Sequence, residues 1–88
     1  MNTATKNKLR ADAHKLKPVI IVGSQGITEA LIKETGYALL AHELIKVKIN
    51  AEDKPARKTA AIQLCEALNA EFIQLIGFIA IIYKKKKN

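Results

Sequence analysis

The spacing of apolar residues changes several times along the chain, and each spacing predicts an element. Leu9, Ala13 and Leu16 recur at i, i+4 and i+7, one stripe of a helix over about Lys6 to Lys15. Pro18 disfavours helical backbone at Lys17 and ends that helix. Val19–Val22 is an unbroken β-branched run, expected as a buried strand. Helical spacing returns from about Thr28 to His42. There Ile27, Leu31, Thr35, Ala38 and His42 share a face flanked by Ile32 and Leu39. Gly36 interrupts this helix at about 1 kcal/mol relative to alanine. Leu44–Ile49 then alternates: Ile45, Val47 and Ile49 face one way, and Leu44, Lys46 and Lys48 the other. Asp53 as cap and Pro55 in the opening turn start a third helix, with Ala61, Leu64, Cys65 and Leu68 as its buried stripe and Asn69 where it fades. Last come "FIQLI" and "IAIIY" around Gly77-Phe78, a two-residue turn with glycine first, as in a type II′ hairpin.

The predicted order is α-β-α-β-α-β-β. Two β-α-β units imply parallel pairs with right-handed crossovers, and the hairpin adds an antiparallel strand. With the helices covering one face, this is a two-layer α/β sandwich. A chain of 88 residues forms one domain (1–88, with 84–88 a basic tail), and its 49% apolar content excludes a disordered chain. The segment Phe72–Tyr83 followed by lysines resembles a membrane anchor. At 12 residues with Gln74 and Gly77 inside, it falls short of the roughly 18 a spanning helix needs.

Lys and Arg number 15 against 8 acidic residues, a net charge of +7, and four of the lysines form Lys84–Lys87. Without that run the body is only mildly basic. A polyanion is the expected partner: RNA, DNA or an anionic membrane surface. The single cysteine, Cys65, excludes an intrachain disulfide, and the first residues lack the apolar core of a signal peptide. Both fit a cytoplasmic protein.

The candidate chemistry centres on "VGSQGIT". Two of the chain's four glycines, Gly23 and Gly26, bracket Ser24 and Gln25 between a strand and a helix. A Gly-x-x-Gly turn lets backbone amides approach a ligand without Cβ atoms in the way. The helix N-terminus behind it favours phosphate. The same device clamps nucleic-acid backbone in KH modules, where it joins two helices. By itself the motif is also an ordinary tight turn. Its surroundings are basic. Lys6, Arg10 and His14 share a flank of the first helix, and Lys17 follows. Lys46 and Lys48 line the wetter sheet face, and Lys54, Arg57 and Lys58 open the third helix, where the dipole disfavours them. Each can also be a plain solvated charge.

No enzyme signature competes with this. There is no third glycine for a dinucleotide fold and no GK[ST] for a P-loop. His14 and His42 are the only histidines, and His42 reads as a packing or capping residue. Cys65 reads as a core thiol, and no Cys/His spacing suits zinc. No cofactor, metal or small-molecule substrate is expected.

"HKLKPVIIVGSQGITEALIKE" followed by "HELIKVKI" resembles the CRM domain family in its single-domain bacterial YhbY form, over about Lys6 to Tyr83. The resemblance implies a mixed four-stranded sheet like that of the C-terminal domain of translation initiation factor three. It implies a non-enzymatic RNA-binding protein associated with precursors of the large ribosomal subunit; related plant domains act in group II intron splicing. It maps the family's GxxG loop onto Gly23, Ser24, Gln25 and Gly26. Neither middle residue is basic here, which leaves the work to backbone amides and nearby lysines. The alternative is a peripheral membrane protein held by its polybasic tail, although tail charge alone binds weakly.

Overall fold

The computed structural model describes residues 1–86; Lys87 and Asn88, the end of the basic tail, lie outside the described residues. The elements follow the expected order: α1 (Thr3–Ala13), β1 (Pro18–Val22), α2 (Glu29–His42), β2 (Leu44–Ile49), α3 (Lys54–Leu68), β3 (Glu71–Ile76) and β4 (Ile79–Tyr83). Among these residues no helix is long and apolar enough to cross a membrane, and Phe72–Tyr83 is the predicted hairpin. Of its two turn residues only Gly77 has a positive φ (59°), the type II′ signature.

Local chemistry sets the boundaries. Asn2 accepts the Thr5 amide at 2.8 Å and so starts α1 three residues before the apolar stripe suggests. Thr28 caps α2 through the Leu31 amide (3.1 Å), and Asp53 caps α3 through Ala56 (3.2 Å). Asn69 ends α3 in a left-handed conformation (φ 53°), one of the few roles asparagine fills more easily than other side chains. Between α2 and β2 stands a single residue, Glu43, at φ 61°. The chain reverses there without a loop, and Glu43 carries the strain.

The sheet is mixed and four-stranded, in the order β1-β2-β4-β3. β1 and β2 are parallel; β4 is antiparallel to both β2 and β3. The second β-α-β unit therefore does not make a neighbouring parallel pair. β3 runs parallel to β2, but β4 folds back and fills the gap between them.

One expectation about the layers needs correction. α2 and α3 cover one face, where Ile20, Val22, Ile45, Val47, Ile49, Ala80 and Ile82 meet Leu39, Ala61, Leu64 and Cys65. α1 packs on the opposite face. There Ala13 joins Ile73 and Ile81, and Leu9, Leu16, Leu44 and Tyr83 close around them. The reason lies in "IAIIY". Ala80 and Ile82 point to one face and Ile81 to the other, so leaving the second face bare would expose Ile81 and Ile73. α1 covers that apolar ground and adds a partial third layer to the sandwich.

α1 packs chiefly on β2 and β3, and β1 lies at the sheet edge. The run Val19–Val22 is consequently not buried throughout. Ile20 and Val22 are in the core, while Val19 and Ile21 are 52% and 60% exposed.

Candidate nucleic-acid interface

Three connections meet at one end of the sheet. The Asn50 amide donates to the Val22 carbonyl (3.0 Å) and the Ile49 amide to Phe78 (2.7 Å). These bonds set residues 23–28, residues 50–53 and the hairpin tip 77–78 side by side.

The glycine turn is closed by a hydrogen bond from the Gly26 amide to the Gly23 carbonyl (3.0 Å). Its two glycines serve different ends. Gly26 sits at φ 72°, a conformation L side chains rarely adopt. Gly23 has no such φ, and a Cβ added there would meet nothing within 4 Å. Nothing in the fold requires a glycine at 23, and the space beside its backbone is open. Ser24 and Gln25 are exposed, and among the described residues their amides donate to no protein acceptor.

The concavity beside the turn is lined by Thr28, Leu31 and Glu34 as well as the loop. Glu29 stands in the first turn of α2. The helix N-terminus, expected as a phosphate seat, is therefore already complemented by carboxylates. The donors free for an anion are the Ser24 and Gln25 amides of the loop.

The basic residues fall into two groups. Lys54 and Lys58 are exposed at the start of α3, at the same end of the sheet as the turn. Lys48 is exposed and pairs across the ladder with Ile21, two residues before Gly23. The other group surrounds α1 on the far face. Lys6 is half-buried, and Arg10 is exposed with its Nη1 donating to Asn7 Oδ1 at 3.0 Å. His14 and Lys17 are exposed before β1, a strand length of roughly 17 Å from the turn. Lys46 is half-buried and donates from Nζ to the His14 carbonyl at 3.4 Å, so it braces the end of α1.

Arg57 was expected on the RNA-facing surface and is instead 9% exposed. Its Nε donates to the Gly77 carbonyl (2.9 Å) and its Nη1 to the carbonyls of Ala51 (2.8 Å) and Glu52 (2.9 Å). The guanidinium also stacks on Phe78, 4.4 Å from the ring centre. Arg57 shapes the site by locking the 50–53 segment to the hairpin tip. Spacing along a helix could not distinguish this arginine from Lys54 and Lys58, because its partners are carbonyls off the helix, one of them twenty residues away.

Sequence reasoning also missed an apolar strip. Ile21, Lys48, Ile79 and Ile76 pair in one row across all four strands, on the part of the sheet that α1 leaves open. Ile76 is 57% exposed and Phe78, beside it, 49%. The alternation of β2 signalled a wetter face, but the edge position of β1 was not visible in one strand's pattern.

The remaining candidates lie outside this site. His42 is exposed at the end of α2 rather than packed. Cys65 is buried; desolvation, with a smaller push from the Glu71 carboxylate, raises its thiol from 9.0 to about 12. Among the described residues no group of three or more His, Cys, Asp or Glu could hold a metal ion.

The geometry can be set beside known proteins. The profile of the CRS1 / YhbY (CRM) domain matches residues 1–84. The chain is 38% identical over 80 residues to the Pseudomonas aeruginosa protein PA4753, named a "probable RNA-binding protein", covering 91% of this chain and 77% of that one. It is 34% identical over 84 residues to a Haemophilus influenzae protein named "RNA-binding protein", covering 96% and 85%. The solution structure of Staphylococcus aureus SAV1595, described as a candidate RNA-binding protein, superposes with a TM-score of 0.89 at 34% identity, covering all of this chain and 92% of that one. By profile, relatives and fold alike, the chain belongs to the CRS1/YhbY (CRM) domain family.

Proposed function

We propose that this protein binds RNA without catalysing a reaction, and that it acts in the cytoplasm on ribosomal RNA in precursors of the large subunit. The observation that carries the reading is Gly23. A position free of conformational need, with open space where a side chain would stand, adjoins two amides without protein acceptors and shares its end of the sheet with Lys54 and Lys58. Such a surface suits a phosphate backbone that comes close to the main chain and is neutralised by flanking ammonium groups. The names of the relatives support RNA as the polyanion.

On this reading the Gly23–Gly26 turn contacts phosphate and Lys48, Lys54 and Lys58 flank it. The open row of Ile21, Ile79 and Ile76 gives unpaired bases an apolar surface beside Lys48. Lys6, Arg10, His14 and Lys17 on the α1 side extend the basic surface for a longer RNA. Arg57 and Lys46 hold the scaffold.

The test is sedimentation of cell lysate through a gradient at low and high salt, comparing the parent with Gly23→Asp. Co-migration of the parent with large-subunit precursors at low salt, lost in the variant, is the expected result. Pelleting of the parent with membranes overturns the proposal in favour of a membrane-surface role.

A further inference from the structure

α2 carries a second apolar stripe that the core does not use. Tyr37 and Leu40 project to solvent at 70% and 64% exposure. With Ile32, Gly36, Leu39 and Leu68 they enclose a groove of about 550 Å³. Its rim holds Lys33, Lys84, Lys85 and Lys86, and no acidic side chain lines it. We propose that this groove receives an acidic amphipathic helix of a partner protein, its apolar side chains on the floor and its carboxylates on the lysine rim.

Two features show that the groove is built. The first is Gly36, which interrupts a helix at a cost in propensity. A Cβ placed there would lie 3.4 Å from Leu68 Cδ2, an ordinary contact distance. Packing of α2 on α3 would therefore accept alanine, and what the glycine keeps open is the groove floor. The second is the strained residue Glu43. Its carbonyl accepts the Lys84 amide (2.9 Å) and its Oε2 the Lys86 amide (2.7 Å). The start of the lysine run is thereby tied along the groove instead of trailing from the end of β4.

The chemistry selects the occupant. A second copy of this chain would bring the same lysines and the same net charge of +7 to the contact. RNA would satisfy the rim but leave exposed Leu40 and the half-buried Ile32 and Leu68 without apolar cover, with Tyr37 the one ring able to stack. A helix with apolar residues at i, i+3/i+4 and i+7 and acids elsewhere satisfies both floor and rim. Gly36 lies eight residues beyond Thr28, roughly 12 Å along α2 from the glycine turn. A partner here leaves the turn free, and the inference stands independently of the RNA-binding reading.

The test uses the full chain and a synthetic peptide of about 18 residues, leucines on one helical face and glutamates on the other, beside a scrambled peptide of identical composition. Amide shifts should concentrate at Tyr37, Leu40, Leu68 and Lys85 and spare Gly23–Gly26. The scrambled peptide should bind at least tenfold more weakly. Leu40→Glu, at an exposed position that leaves the fold intact by circular dichroism, should weaken the patterned peptide at least tenfold. Gly36→Ala should weaken it while raising the thermal midpoint. Equal binding of the scrambled peptide, or no binding of either, overturns the proposal. So do shifts in the groove produced by single-stranded RNA, by phosphatidylserine vesicles or by raising the protein concentration alone.

Discussion

Arg57 lies over Phe78, guanidinium carbon to ring centre 4.4 Å, while its nitrogens hold the carbonyls of Gly77, Ala51 and Glu52. One side chain at the start of α3 thus fastens the hairpin tip and the β2–α3 connection. An arginine is suited to this because its planar fork can donate in several directions at once.

Truncation at this position should act on stability first. Arg57→Ala removes charge-assisted bonds and leaves carbonyls without their donor, at an expected cost of about 2–4 kcal/mol. Arg57→Lys should recover little, since an ammonium cannot span the same carbonyls. Urea denaturation of the three proteins reads this directly. A loss under about 0.5 kcal/mol for Arg57→Ala would mean the latch is incidental.

The two loop glycines should respond differently to the same substitution. Gly26→Ala forces an L side chain to φ 72° and should destabilise by about 1–2 kcal/mol. Gly23→Ala enters open space and should leave stability within about 0.5 kcal/mol. Its effect belongs to binding: at least fivefold weaker affinity for ribosomal RNA, and more for Gly23→Asp. Thermal melts and fluorescence anisotropy separate the two quantities. Undiminished RNA affinity in Gly23→Asp removes the turn from the interface.

The lysines at the start of α3 should show in the salt dependence. If Lys54 and Lys58 each neutralise one phosphate, replacing both by alanine lowers the slope of log K against log salt by about 1.4, at roughly 0.7 per contact on a single strand. Lys46→Ala should change the slope less, because Lys46 Nζ is engaged with the His14 carbonyl. Titrations from low to moderate salt check both. Equal slopes in the parent and the Lys54/Lys58 variant would place the RNA elsewhere.

Cys65 gives a pH prediction with a definite sign. Its thiol is raised from 9.0 to about 12 in the folded protein. Below pH 9 both states keep the proton and the group does not alter stability. Between 9 and 12 the unfolded chain releases it first, so stability falls as pH rises, at up to about 1.4 kcal/mol per unit. Cys65→Ala should start less stable but lose stability more slowly over this range, and the difference between the two proteins isolates the thiol. In the native parent the thiol should resist a disulfide reagent at pH 8 and react on unfolding. Rapid native modification would contradict the burial.

Much of this architecture is local and was legible in the chain. Asp53 caps α3 because a short oxygen-bearing side chain reaches the amide three residues on, whatever packs around it. Gly77 opens a II′ turn because the turn itself needs the positive φ. The alternation of Ile45, Val47 and Ile49 shows which side of β2 is buried because strand side chains alternate by geometry. The "GSQG" turn stood out for a similar reason: glycine has few uses, and two together mark a special backbone.

What the chain could not reveal depended on residues distant in sequence. The position of α1 was decided by Ile73 and Ile81, which required cover only once β4 had inserted between β2 and β3. Val19 and Ile21 carry the same β-branched chemistry as Ile20 and Val22; their exposure follows from β1 lying at the sheet edge, with these two side chains on the face away from α2 and α3. Lys54, Arg57 and Lys58 look alike on a helix, yet only Arg57 found three carbonyls within reach. The sequence determines which groups want cover, charge or a donor; folding decides which partner arrives, because those partners are set by the order of strands and not by spacing along any one of them.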